Sequence, residues 1–151
     1  MAKKPTYEEL EQRVKGLEKE VAARKNAEKS LKEKTHLNNI LLDAIPCVAL
    51  LIRSKTREIV LSNEAGRKAG AVPGTTCYET WAHRDQPCPW CLAPEVWATG
   101  KPKHLEVETF YVTWDAYWHP IDEDLYLHYA FDITERRKIE SKKANHERKM
   151  N

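Results

Sequence analysis

The chain is poor in glycine, with five in 151 residues, and none of them forms a Walker or dinucleotide pattern, so the usual phosphate-cradling loops are excluded. It has no apolar run near the roughly 18 residues that cross a bilayer. Its opening, Met1-Ala2-Lys3-Lys4-Pro5, leads into charged sequence instead of a signal-peptide core, and the expected address is the cytoplasm. No nucleophile with a base and no catalytic carboxylate pair stands out. The acidic run Asp122-Glu123-Asp124 falls in an expected turn, where solvation accounts for it. An enzyme is not expected.

What the chain has in quantity is charge. At 32% charged and 41% hydrophobic residues it has material for one modest core and one long polar helix or tail. The net charge of +2 is uneven: residues 46–132 hold 8 basic and 12 acidic side chains, residues 133–151 hold 7 and 3. A basic tail of this kind is expected to be a solvated helix, and nucleic acid is not an expected partner.

From Tyr7 to Ile45 the apolar residues recur at spacings of 3 and 4, with Tyr7, Leu10, Val14, Leu17, Val21, Leu31, Leu42 and Ile45 on one seam. Arg24, Glu28, Thr35 and Asn38 occupy the same seam and weaken it beyond Val21. The pattern predicts one long helix that buries its stripe by pairing as a coiled coil, since a lone helix has nothing to cover that stripe. Pro46 stops it. Val48–Arg53 and Glu58–Ser62 then read as a hairpin, Asn63–Gly70 as a short helix, and Thr75–Gly100 as short helical pieces broken by Pro87, Pro89 and Pro94. Lys103–Phe110, Tyr111–His119 and Leu125–Phe131 read as strands, and Ile133–Met150 as a charged helix capped by Asp132 or Thr134. Strands split around a helical middle imply an α+β fold, a five-stranded antiparallel sheet with short helices on one face, preceded by the long coiled-coil helix.

Leu42-Asp43-Ala44-Ile45-Pro46, Ile59-Val60-Leu61-Ser62-Asn63-Glu64-Ala65, Gly100-Lys101-Pro102 and the closing Asp132-Ile133-Thr134-Glu135-Arg136 together resemble the PAS domain of bacterial and archaeal sensory proteins. The resemblance covers about residues 40–138. It implies three parts: a signalling helix over 1–45, a PAS sensor domain over 46–132, and an output helix or tail over 133–151. It further implies a ligand, haem, flavin or metal cluster held between sheet and helices, and an Asp and a Thr that stabilise the exit of the chain into the output helix. No kinase, second-messenger synthase or helix-turn-helix segment follows. The expected partners are a second copy of the chain and a downstream protein of the histidine kinase or transcription-regulator type, without a membrane. If the 151 residues are a whole protein, the output must be that partner; if they are a piece, the effector lies elsewhere.

Cys77, Cys88 and Cys91 form a C-x10-C-x2-C pattern, with Cys47 or His83 as a possible fourth ligand. Similar segments, Cys-Tyr-Glu followed by Pro-Cys-x-x-Cys, occur in PAS domains of anaerobic sensory proteins. Three readings stay open. The first is an iron–sulfur cluster or zinc ion held by thiolates. The second is a Cys88–Cys91 thiol switch with Cys77 or Cys47 resolving. The third is inert packing. Haem through His83, His104 or His128 is a lesser expectation. Leu92 after Cys91 excludes c-type haem attachment, and Thr76–Trp81 lacks the flavin-contacting side chains of the light-sensing relatives. Trp114 and Trp118 share a strand face with Val112 and Ala116 and are expected to wall a pocket or to pack the core. The expected function is a dimeric sensor of redox state, metal or a small ligand. The alternative is a coiled-coil scaffold with inert cysteines.

Overall fold

The computed structural model describes residues 4–150. The chain divides into two compact units, Met1–Leu41 and Leu42–Asn151. The first is made by helix α1 (Tyr7–Asp43), 37 residues or about 55 Å at 1.5 Å per residue, whose last two residues belong to the second unit. A capping box starts it: the Glu9 amide donates to the Thr6 hydroxyl at 3.3 Å, and the Thr6 amide donates to the Glu9 carboxylate at 2.8 Å. None of its residues is buried, and the seam residues Leu10, Val14, Leu17 and Val21 are each about half exposed. The helix ends two residues before the expected Ile45, because the residues ahead of Pro46 are turned out of the helical region and the Ile45 amide bonds back to the Leu42 carbonyl.

The second unit builds one antiparallel sheet from β1 (Val48–Arg53), β2 (Ile59–Ser62), β3 (Lys103–Thr109), β4 (Val112–Pro120) and β5 (Leu125–Asp132), in the order β2-β1-β5-β4-β3. The last strand is therefore central, and it joins the first hairpin to the β3–β4 hairpin through full registers with β1 and β4. Between the hairpins run α2 (Glu64–Lys68), α3 (Cys77–Thr80) and α4 (Ala93–Thr99); α5 (Thr134–Met150) follows β5. Gly100 closes α4 in the left-handed region at φ 65°, where glycine carries no Cβ penalty.

Period-two alternation sends one set of side chains inward. Leu50, Ile52, Ile59, Ala116, Trp118, Tyr126 and Ala130 form the core with Ala71, Ala93 and Val96 from the helical middle. Asn63 is the polar keystone of this packing. Its Oδ1 accepts from the Ala49 and Gly66 amides, and its Nδ2 donates to the carbonyls of Leu42 and Cys47. Gly66 must be glycine for space: a Cβ there would lie 2.4 Å from the Ser62 hydroxyl and 3.0 Å from Leu50.

The expected strands Lys103–Phe110 and Tyr111–His119 abut, whereas the structure spends Phe110 and Tyr111 on a two-residue turn with φ of 50° and 64°. Such a turn normally announces itself with Asn or Gly. Two aromatic residues carry no such signal, which is why the boundary was not legible. At the far end, the Asp132 carboxylate accepts from the Thr134 amide (2.9 Å) and hydroxyl (2.6 Å), and the Thr134 hydroxyl oxygen accepts from the Thr113 amide (3.0 Å). Ile133 is buried and its amide donates to the Thr113 carbonyl. Asp132 and Thr134 thus clamp the start of α5 to β4.

Candidate functional site

A cavity of about 240 Å³ lies between the inner face of the sheet and the segment 77–91. The sheet contributes Val107, Val112, Trp114, Ala116, Trp118, Tyr126 and His128; the opposite wall contributes Cys77, Trp81, Cys88, Trp90 and Cys91. His83 and Phe110 also line it; both are exposed, and their rings meet edge to face at 6.3 Å. Trp114, Ala116 and Trp118 reach it together because they alternate along β4, and Trp118 is only 3% exposed.

Three of the four cysteines are brought to this one cavity. Cys77 opens α3, its amide held by the Arg57 carbonyl at 3.0 Å. Cys88 and Cys91 bracket a tight turn closed by the Cys91 amide on the Cys88 carbonyl. Arg57, in the turn before β2 at φ 62°, donates from Nη1 to Cys91 Sγ at 3.2 Å, and its guanidinium lies 4.7 Å from the Trp97 ring centre. Burial, with the neighbouring Cys91 adding to it, pushes the Cys77 thiol up to about 11; burial also pushes Cys88 up.

Cys47 is elsewhere. It is buried just ahead of β1, its carbonyl taken by Asn63, its thiol pushed up by burial, and it does not line the cavity. Among the described residues no three His, Cys, Asp or Glu side chains converge as a metal-ligand set. The four-thiolate arrangement of Cys47, Cys77, Cys88 and Cys91, and its variant with His83, is therefore not assembled here, and a guanidinium occupies the approach to Cys91. The histidines are dispersed too. His104 is on the outer face against Asp115, His83 is exposed beside Phe110, and only His128 is inside. A cavity of about 240 Å³ is below the roughly 300–1,000 Å³ of pockets for drug-sized ligands, too small for a haem macrocycle.

His128, named from the sequence only beside His83 and His104 as a haem candidate, is the histidine that the fold turns inward. It is buried between Trp81 (ring centres 5.0 Å apart) and Trp118 (4.6 Å, stacked). Its Nδ1 lies 2.9 Å from the Tyr117 carbonyl, and burial pushes its pKa down to about 4. Tyr126 is buried as well, and burial pushes its hydroxyl up, so it stays protonated. What separates His128 from the other two histidines is its place in the inward alternation Tyr126, His128, Ala130 of β5. Arg57 gave no sequence signal, since its partner is 34 positions away.

Neither a family model nor a curated protein matches the sequence. Among solved structures, the PAS domain of BvgS from Bordetella pertussis matches at 17% identity with a TM-score of 0.50, covering 82% of this chain and 99% of its own. Identity at that level speaks for the path of the backbone and leaves the cavity contents to this chain's own residues. The five-stranded antiparallel sheet with its helical middle and flanking helices is a PAS-like α+β fold.

Proposed function

We propose that the chain is a dimeric sensory signal-transduction module that responds to redox state or to a small ligand at its cysteine-lined cavity and relays the response through its flanking helices. One observation carries this reading. Cys77, Cys88 and Cys91 face the same cavity as β5, and β5 runs into α5 through the Asp132–Thr134 clamp. In the redox arm, Cys88 and Cys91 exchange with a disulfide oxidant: two thiols become one intramolecular disulfide and the oxidant leaves as two thiols. Arg57 then loses its acceptor on Cys91, and the wall carrying Trp81 repacks against His128 on β5. The helices read out that shift as a change in a two-state dimer.

The dimer itself is supported by the apolar seam that α1 leaves uncovered along Leu10, Val14, Leu17 and Val21. Among the described residues no helix is long and apolar enough to cross a membrane. Free thiols suit a reducing compartment, which supports a cytoplasmic setting, with a histidine kinase or transcription regulator as the downstream partner.

The test is the double variant Cys88→Ser/Cys91→Ser, compared with wild type for thiol titration, metal content and the change in helix packing after treatment with oxidised glutathione. The response should vanish while the dimer mass stays. An unchanged response sinks the redox arm and leaves a scaffold with inert cysteines. Stoichiometric iron or zinc after anaerobic purification would replace the thiol switch by a metal site. For the dimer, Leu10→Lys/Leu17→Lys should halve the mass by light scattering, and an unaltered mass would refute the seam.

A further inference from the structure

We propose that the cavity takes a flat, uncharged aromatic molecule bearing one O–H or N–H donor, of the phenol or indole class, and that Nε2 of His128 receives that donor. The inference rests on the small-ligand arm of the proposed function and names the chemistry that arm would recognise.

Among the described residues no Asp, Glu, Lys or Arg side chain lines the cavity, and the nearby Arg57 guanidinium is already engaged by Cys91 and the Trp97 ring, so a charged guest would be desolvated without a free counter-charge in contact with it. The walls are indole faces: Trp81, Trp90, Trp114 and Trp118, closed by Phe110. Such walls favour a planar ring by offset or edge-to-face contact. The volume, about 240 Å³, suits one or two fused rings.

His128 supplies the direction of recognition. A carbonyl oxygen only accepts, so the 2.9 Å contact with Tyr117 places a hydrogen on Nδ1. Burial keeps the imidazole neutral, which leaves Nε2 with its lone pair. Among the described residues no protein group donates to Nε2, which is not among the fully enclosed unpaired atoms, so its lone pair is open to a donor that enters the cavity. Trp81 and Trp118 fix the ring on either side, so the acceptor is held in place before any guest arrives. Of the other polar side chains of the lining, His83 is exposed, the Thr109 and Tyr126 hydroxyls both donate and accept, and the three thiols are weak acceptors, so Nε2 is the strong acceptor-only atom among the buried lining residues.

The experiment uses the full chain and paired probes: para-ethylphenol against para-ethylanisole, and indole against N-methylindole, by calorimetry. The donor-bearing member of each pair should bind about tenfold or more tightly than its methylated partner. In His128→Phe that gap should close while the methylated probe still binds. Should this variant not fold, nitrogen NMR of the wild-type imidazole gives the same answer: the Nε2 resonance moves with phenol and stays with anisole. Equal affinities within the pairs, tighter binding of a benzoate, or an Nε2 resonance unmoved by phenol because water already satisfies it would each overturn the proposal. Absence of binding by every aromatic probe would overturn it too, while the Cys88/Cys91 response stands or falls on its own measurement.

Discussion

On the inner face of the sheet His128 lies between Trp81 and Trp118 in a cavity lined by no charged side chain; on the outer face His104 stacks on Tyr117 at 4.4 Å and meets the Asp115 carboxylate. Tyr117 stacks in turn on Tyr129, 4.9 Å away and within 3° of parallel. Both faces thus use histidine and aromatic rings, yet only the outer one sets its histidine directly against a carboxylate. The difference teaches that an imidazole's role here follows from the strand parity that places it. Inward, it is a neutral acceptor; outward, it sits in a solvated polar and aromatic ladder.

The largest effect should come from emptying the inner face. Trp118→Ala should cost about 3–5 kcal/mol in urea denaturation, whereas Tyr129→Ala on the half-buried outer face should cost less than half as much. Equal costs would break the distinction between the faces.

The second test is pH. The native pKa of His128 is held down at about 4, below the roughly 6.5 of an unfolded histidine, so the unfolded chain binds a proton that the folded chain refuses. The stability tied to this group is fully present above about pH 6.5 and is lost as pH falls towards about 4, on the order of 3 kcal/mol. His128→Phe should flatten that window in denaturation curves recorded across it. A slope that survives the substitution would assign it to another group.

Smaller still is Gly66→Ala, where a methyl 2.4 Å from the Ser62 hydroxyl and 3.0 Å from Leu50 should cost about 1–3 kcal/mol by thermal melting. The smallest is Thr134→Val, which removes the acceptor of the Thr113 amide. It should cost about 1 kcal/mol and quicken hydrogen exchange at the start of α5, leaving β5 protected. Exchange that quickens equally in β5 would mean that helix and strand do not separate.

Much of the architecture was legible because it is local. The heptad spacing of Tyr7 to Val21 marks α1, Pro46 its end, Gly100 the end of α4, and the short apolar run between Pro46 and the Ser54-Lys55-Thr56-Arg57 turn marks Val48–Arg53 to the residue. The cysteine segment was legible as a group, and Trp114 and Trp118 as one strand face. The Phe110–Tyr111 turn was not, because it adopts positive φ without the residues that usually permit it.

The sequence by itself determined the order of helices and strands, the shared face of Trp114 and Trp118 on β4 and the junction at Asp132 and Thr134, since each depends on neighbours within a few positions. Only the tertiary structure decided that β5 is central, that Cys77, Cys88 and Cys91 share a cavity without Cys47, that Arg57 reaches Cys91, and that His128 stands between two tryptophans. Those contacts join positions tens of residues apart. Burying the inward side chains together creates them, and no local spacing encodes that.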